Sequence, residues 1–293
     1  MIERLAVIGV GLIGGSLARA LRVAGAVGEV VGCGRQRANL ERALALGVVD
    51  RYSHDIGDAV AGADMVFIAV PLGAMAGCFA ALRGRLRADA VVTDGGSVKG
   101  SVVADARKVW GRVPGNLVPG HPIAGTEKSG VEASFPELYR NRRVILTPLR
   151  ETDPQALERV EGMWEACGAR VTRMAVAHHD EVLAATSHLP HMLAYALVDA
   201  LARLKENDEN FRYAAGGFRD FTRIASSNPM MWRDICIANR EALGAVLGQF
   251  SAEMADLADT VSRGDAQHLL EIFERAKAAR DRFVDGVAGG SPE

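Results

Sequence analysis

Residues 4–14 read RLAVIGVGLIG, and the reading of the last six, GVGLIG at 9–14, decides the fold. The apolar run before it is a buried strand ended by glycine. The residues after it, with Ile13, Leu17 and Leu21 at helical spacing, are a helix over 13–25. A G-x-G-x-x-G at such a strand-to-helix junction is a dinucleotide cradle. Gly9 permits the tight turn, Gly11 admits a pyrophosphate to the backbone, and Gly14 brings helix and strand together. Leu12 and Ile13 open the helix whose free N–H groups and positive dipole end face that phosphate. The motif alone is weak; its place in a βαβ unit at the start of the chain is what gives it weight.

Downstream, apolar runs alternate with helical patterns. EVVGCG (29–34), DMVFIAVP (64–71), DAVVTDGGS (89–97), NLVPGHP (116–122), RRVILTP (142–148) and ARVTRM (169–174) read as strands. ANLERALALG (38–47) and DPQALERVEGMWEACG (153–168) read as helices. Strands apolar throughout imply a parallel sheet covered on both faces. After about residue 175 no β run follows. Residues 178–205, 229–262 and 265–286 read as long helices, 206–228 as a polar stretch with short elements, and AGGSPE at the end as a disordered tail. The expected fold class is α/β: a Rossmann-type doubly wound parallel sheet over 1–175, followed by an all-helical substrate and dimerisation domain over 176–293.

Composition excludes several classes. The 293 residues carry a net charge of −2, so there is no basic excess to hold a nucleic acid. The four cysteines, at 33, 78, 167 and 236, form no C-x-x-C pair, which argues against a zinc ribbon or a disulfide scaffold and for reduced, cytoplasmic thiols. Arg19 and Arg22 break the N-terminal apolar run, so it is not a signal peptide, and no apolar segment is long enough to span a membrane.

The second strand addresses the cofactor. An NAD-binding domain usually places an acid about 20 residues past the glycines to bind the ribose 2′-hydroxyl. In VVGCGRQR (30–37) that position is Gly34 or Arg35, and no acid precedes Glu41. A carboxylate there would repel a 2′-phosphate, whereas arginine binds one bidentately. Arg35 and Gln36 therefore join the cofactor-binding set, with Val70 and Pro71 at the end of the third strand, and NADP is preferred over NAD. The alternative leaves Arg35 and Arg37 as solvated charges with NAD bound.

GVGLIGGSLARAL (9–21), TDGGSVKG (93–100), HPIAGTEKSG (121–130), SHLPH (187–191) and FRDFTRIASSNPMMW (218–232) together resemble the prephenate/arogenate dehydrogenases, in order over nearly the whole chain. The resemblance implies oxidation of prephenate to 4-hydroxyphenylpyruvate, or of arogenate to tyrosine, with loss of carbon dioxide. It also implies a homodimer. No chorismate mutase segment precedes the glycine motif and no regulatory domain follows the helices, so a monofunctional enzyme is expected.

Such a substrate is a cyclohexadiene with a hydroxyl and a hydrogen on C4 and a carboxylate on C1. The site needs a neutral base for the hydroxyl proton, a hydride acceptor, and cations for carboxylates. His121 falls at the family's catalytic histidine and suits the base, because imidazole titrates near neutrality; a limb near pH 6–7 is expected. Ser97 is implied to orient the hydroxyl or the nicotinamide. Lys99 reads as a solvated surface charge, with a cofactor or substrate contact as the alternative. Glu127 matches a family acid that gates the site, or is a plain surface charge. Arg223 is the carboxylate clamp. Trp232 is a pocket wall or a core residue. Gly216 and Asp180 read as positions near the dimer interface.

Two histidines remain, in TSHLPHM (186–192). Three apart, His188 and His191 share a helix face, and Pro190 kinks that helix or marks its first turn. His191 reads as a donor to the substrate's side-chain end and His188 as a supporting pocket residue. A metal site would require a third ligand, for which Glu181 is the candidate. Two other functions compete. A β-hydroxyacid dehydrogenase would need a lysine base on the helix after the domain junction, and no lysine lies between Lys128 and Lys205. A non-catalytic nicotinamide-binding regulator would have no use for His121, Ser97 and Arg223.

Overall fold

A computed structural model of the chain describes residues 1–204 and 212–289. It opens with β1 (Ile2–Ile8), α1 (Leu12–Val23), β2 (Val27–Cys33), α2 (Arg37–Ala45), β3 (Arg51–Ser53), α3 (Ile56–Val60) and β4 (Met65–Ile68). Then come α4 (Met75–Leu82), β5 (Val91–Asp94), α5 (Lys99–Trp110) and β6 (Leu117–Val118). The six strands form one parallel sheet in the order β3-β2-β1-β4-β5-β6. Side chains alternate across it: Leu5 and Val7 of β1 enter one core, Ala6 and Ile8 the other. In β4, Met65 and Phe67 divide from Val66 and Ile68 in the same way. Strands β1 and β4 are therefore buried on both faces, which is why each reads as a continuous apolar run.

The strand order reverses between β1 and β4, and ligands of open α/β sheets bind beyond the strand ends at such a point. The glycines sit there. A side chain at Gly9 (φ +97°) would lie 2.2 Å from the Ala69 carbonyl oxygen, just past β4, and one at Gly14 would lie 2.2 Å from the Gly9 oxygen. Around Gly11 there is open space.

The stretch 116–122 is not one strand. After β6 the chain turns at Pro119, and β7 (Gly120–Pro122) joins a second sheet with β8 (Arg143–Leu146) and β9 (Arg170–Arg173). In it β7 runs antiparallel to β8 and β8 parallel to β9, so the strands are not all parallel as expected. Between β8 and β9 lies α6 (Pro154–Ala166), started by Asp153, whose carboxylate accepts the Gln155 N–H, with proline in the first turn.

No strand follows β9 among the described residues. The helix expected over 178–205 is α7 (Val176–Leu183), a π-helical turn (Ala184–His188) and α8 (Leu189–Ala202), with Pro190 in the first turn of α8. Proline's missing N–H is harmless there, which is why the helix is re-wound and not ended. The short α9 (Gly216–Thr222) follows. The helix expected over 229–262 breaks at Asn239 into α10 (Pro229–Ala238), capped by Asn228, and α11 (Arg240–Arg263); α12 (Ala266–Gly289) is last. Lys205, the start of the 206–228 stretch and the tail residues 290–293 lie outside the described residues.

By contact the chain divides into compact units at Leu243/Gly244, whereas strands give way to helices near residue 175. Helices α7 to α10 thus belong with the nucleotide-fold unit. In the second unit Gly264 (φ +67°) turns the chain between α11 and α12, and His268 lies 3.4 Å from Asp256.

Candidate active site

The turn at Pro119 is held from below by a buried ion pair. Lys99 and Asp94 are both inaccessible to solvent and in direct contact. The Lys99 ammonium also donates to the Gly120 carbonyl at 2.5 Å, and Asp94 accepts the N–H groups of Gly96 (2.8 Å) and Gly120 (3.2 Å). Burial pulls the Lys99 pKa down while Asp94 opposes it. Lys99 is therefore not the surface charge the sequence suggested. A buried cation must be paired, and this one ties the β5–α5 loop to the strand that carries His121.

His121, the middle residue of β7, is half-buried. Its Nδ1 lies 2.9 Å from Nε2 of His179 on α7, and Nδ1 of His179 lies 2.7 Å from Oδ1 of Asp180. Desolvation, then the positive field of Lys99, hold the His121 pKa well below 6.5, and His179 and His188 add to this only when protonated. His121 is thus neutral throughout the neutral range, and its limb lies below the pH 6–7 anticipated from the sequence.

Asp180 accepts the N–H groups of Lys99 (2.8 Å) and Gly100 (2.7 Å) at the start of α5. Burial raises its pKa, but the bonds from His179 and these two amides outweigh it and leave it lowered. The buried carboxylate thus takes three bonds within its own chain. Its main-chain oxygen accepts from Nδ2 of Asn239 at 2.8 Å, and the same nitrogen lies 3.1 Å from Nδ1 of His188. The amide can only donate to that ring nitrogen, so neutral His188 carries its hydrogen on Nε2. Burial pushes the His188 pKa down to about 4.

His191 has the opposite tautomer. Its Nδ1 lies 2.9 Å from the Ser187 carbonyl, which can only accept. Burial lowers its pKa, so the neutral ring presents a lone pair on Nε2. The expected donor role would hold only for the imidazolium. The His191 ring stacks on Trp232 with centroids 3.6 Å apart at 19°, and His188 meets the same indole edge-on at 6.1 Å. Trp232 is buried, and its indole N–H has no partner among the described residues. Exposed Arg223 has no ion pair among the described residues, and its field is felt at His191.

The remaining positions are looser. Ser97 is half-buried in the β5–α5 loop, two residues before Lys99. Glu127 is exposed and lines an open hollow of about 820 Å³ with Thr126, Lys128 and Phe135, which none of the histidines lines. Gly216 is the exposed first residue of α9, with open space around it. Exposed Glu181 pairs with His178 at 3.8 Å, away from the two histidines it was considered with. Among the described residues no three metal-ligating side chains cluster. The sequence reading missed His179 and Asn239. The run His178–His179–Asp180, about two turns before His188, was the available signal.

At the nucleotide end, Gly11 is the N-cap of the twelve-residue α1, no side chain caps the helix, and a side chain at Gly11 would meet open space. That fits a pyrophosphate. Arg37 is engaged with Glu41 at 2.8 Å, while exposed Arg35 has no partner among the described residues. Val70 and Pro71 follow β4 beside this turn, and a side chain at Gly9 would lie 3.2 Å from Val70.

Two family models cover most of the chain: "Prephenate dehydrogenase, nucleotide-binding domain" over residues 17–173 and "Prephenate dehydrogenase, dimerization domain" over 175–275. Among characterised relatives, cyclohexadienyl dehydrogenase of Zymomonas mobilis is 40% identical over 281 residues, covering 95% of both chains. Among solved structures, prephenate dehydrogenase of Aquifex aeolicus in complex with hydroxyphenyl propionate and NAD+ superposes with a TM-score of 0.90 at 37% identity, covering 97% of this chain and 99% of that one. Synechocystis arogenate dehydrogenase gives a TM-score of 0.80 at 30% identity, covering 96% and 100%.

Proposed function

The chain belongs to the prephenate dehydrogenase family, and from that premise we infer how its residues divide the work. The reaction is the oxidative decarboxylation of prephenate to 4-hydroxyphenylpyruvate, in tyrosine biosynthesis, with hydride transfer to a nicotinamide cofactor. Neither a β-hydroxyacid dehydrogenase nor a non-catalytic regulator is favoured.

The observation that carries the residue assignment is His121: neutral, hydrogen-bonded through Nδ1, and held at the carboxyl edge of the sheet. Its Nε2 accepts the proton of the C4 hydroxyl. A nicotinamide cofactor held at the start of α1 would supply the acceptor for the hydride that leaves C4. The bond to the C1 carboxylate then breaks, its electrons complete the aromatic ring, and carbon dioxide leaves. Ser97 orients the hydroxyl. Arg223 takes carboxylate oxygens, with His188, His191 and Trp232 forming the wall beside it.

Arogenate is the second substrate. It differs only at the side-chain end, where an ammonium replaces a keto group, and the lone pair on His191 accepts an N–H as readily as Arg223 donates to a carboxylate. Exposed Met254, Val261, Leu270 and Phe273 on α11 and α12 supply an apolar face for a homodimer. No helix among the described residues is long and apolar enough to cross a membrane, and the four thiols are free, which supports a cytoplasmic enzyme.

Initial rates of nicotinamide reduction with prephenate and with arogenate test this reading. We expect turnover with prephenate, and with arogenate as the second substrate. No turnover with either substrate would overturn it.

A further inference from the structure

We propose that Asp180 and His179 are positioning residues that fix the tautomer of His121, so that its Nε2 carries the lone pair the reaction needs. The proposal rests on the assignment of His121 as the base. Its support is the polarity of a three-member hydrogen-bond chain.

The chain begins at a group that can only accept. The Asp180 carboxylate takes the Lys99 and Gly100 N–H groups at 2.8 and 2.7 Å, and His179 Nδ1 stands 2.7 Å from its Oδ1. Nδ1 of His179 must therefore carry a hydrogen. In a neutral ring Nε2 of His179 is then a lone pair. That lone pair is 2.9 Å from Nδ1 of His121, which must in turn carry a hydrogen. The lone pair of His121 is left on Nε2. Were His179 an imidazolium, the bond to His121 would invert and Nε2 of His121 would be protonated. The tautomer of His121 separates the two cases.

The chain is built into the fold. A side chain at Gly100 would stand 2.6 Å from Oδ2 of Asp180, so only glycine lets the carboxylate close on the start of α5. When His121 accepts the hydroxyl proton, the same chain steadies the imidazolium: Nδ1–H of His121 points at His179, whose own N–H points at a carboxylate. The proton stays on His121. The logic is that of a carboxylate holding a catalytic imidazole in one tautomer.

Asp180→Asn tests it. The amide nitrogen, turned toward His179, makes that ring an acceptor and flips the chain, which puts hydrogen on Nε2 of His121. At neutral pH kcat should fall by about 10²-fold or more while KM for prephenate stays within about threefold. His179→Gln, whose carbonyl can still accept from Nδ1–H of His121, should retain about tenfold more activity than His179→Leu. Nitrogen-15 spectra of the wild-type histidines should show His121 as the Nδ1–H tautomer, a readout that needs no variant to fold. An Nε2–H tautomer for His121 in the wild type would overturn the proposal. So would a folded Asp180→Asn enzyme with kcat within about threefold of wild type. Absence of prephenate turnover by the wild type would instead remove the functional assignment and leave the tautomer measurement standing.

Discussion

The corner that holds His121 and the helical wall that holds His191, Trp232 and Arg223 are built on opposite terms. In the corner the charged groups and the imidazoles are paired within the chain. Lys99 meets Asp94 and Gly120, Asp180 meets two amides and His179, and His179 meets His121. On the wall the groups are left open. Among the described residues neither the Trp232 N–H nor Arg223 has a partner. Buried groups with all bonds made are already at their working geometry, so they serve the chemical step. Open donors and cations acquire their partners only when a substrate arrives, so they serve binding. The difference predicts which kinetic parameter each substitution moves.

The largest effect should come from the corner. His121→Asn removes the base but keeps a side chain able to hydrogen-bond His179. General-base catalysis is typically worth 10²–10⁴ in rate, so kcat should fall by that order with KM for prephenate nearly unchanged. The wild-type kcat/KM should rise with pH through a group well below 6.5, since the lowered pKa of His121 keeps it deprotonated above that value. The mutant should lack this limb. A kcat within about threefold of wild type would end the assignment, and an unmutated limb near pH 7 would place the titrating group elsewhere.

The wall should answer in KM. Truncating one partner of a desolvated charge pair costs roughly 2–5 kcal/mol. Arg223 is exposed in the free enzyme, so the low end applies, about 2 kcal/mol or roughly thirtyfold in KM. If Arg223→Ala instead lowers kcat alone, the guanidinium works in the transition state and the division between the two regions fails.

The nucleotide fold was legible because its signals are local. A strand buried on both faces must be apolar along its length, and β1 with GVGLIG states both the strand and the turn. The corner was less legible because its meaning is three-dimensional. Pro119 looked like part of one strand, yet it separates β6 from β7 into different sheets. Lys99 looked solvated because lysine usually is; only the fold brings Asp94 beneath it. His179 went unread because nothing in its neighbourhood in sequence points to His121, 58 residues earlier. His191 reads from the sequence as a donor, but its tautomer depends on a single carbonyl, that of Ser187.

The smallest expected effect asks whether the open-versus-satisfied distinction holds outside the substrate wall. Arg35 lies in the nucleotide fold, as the corner does, yet it is open, as the wall is. Its neighbour Arg37 is occupied by Glu41, which leaves Arg35 as the cation for a ribose 2′-phosphate. On the open side of the distinction, Arg35→Ala should change cofactor affinity and leave the chemical step alone. A hydrogen bond to a charged group is worth about 1.5–3 kcal/mol, and the exposed position favours the lower figure, near tenfold. KM for NADP should rise by about that factor while KM for NAD stays within about twofold, and wild-type kcat/KM should be higher with NADP. Equal losses with both cofactors would make Arg35 a general contact to the nucleotide. A wild-type kcat/KM equal or higher with NAD would sink the NADP preference, with the missing acid of β2 then having no consequence for cofactor choice.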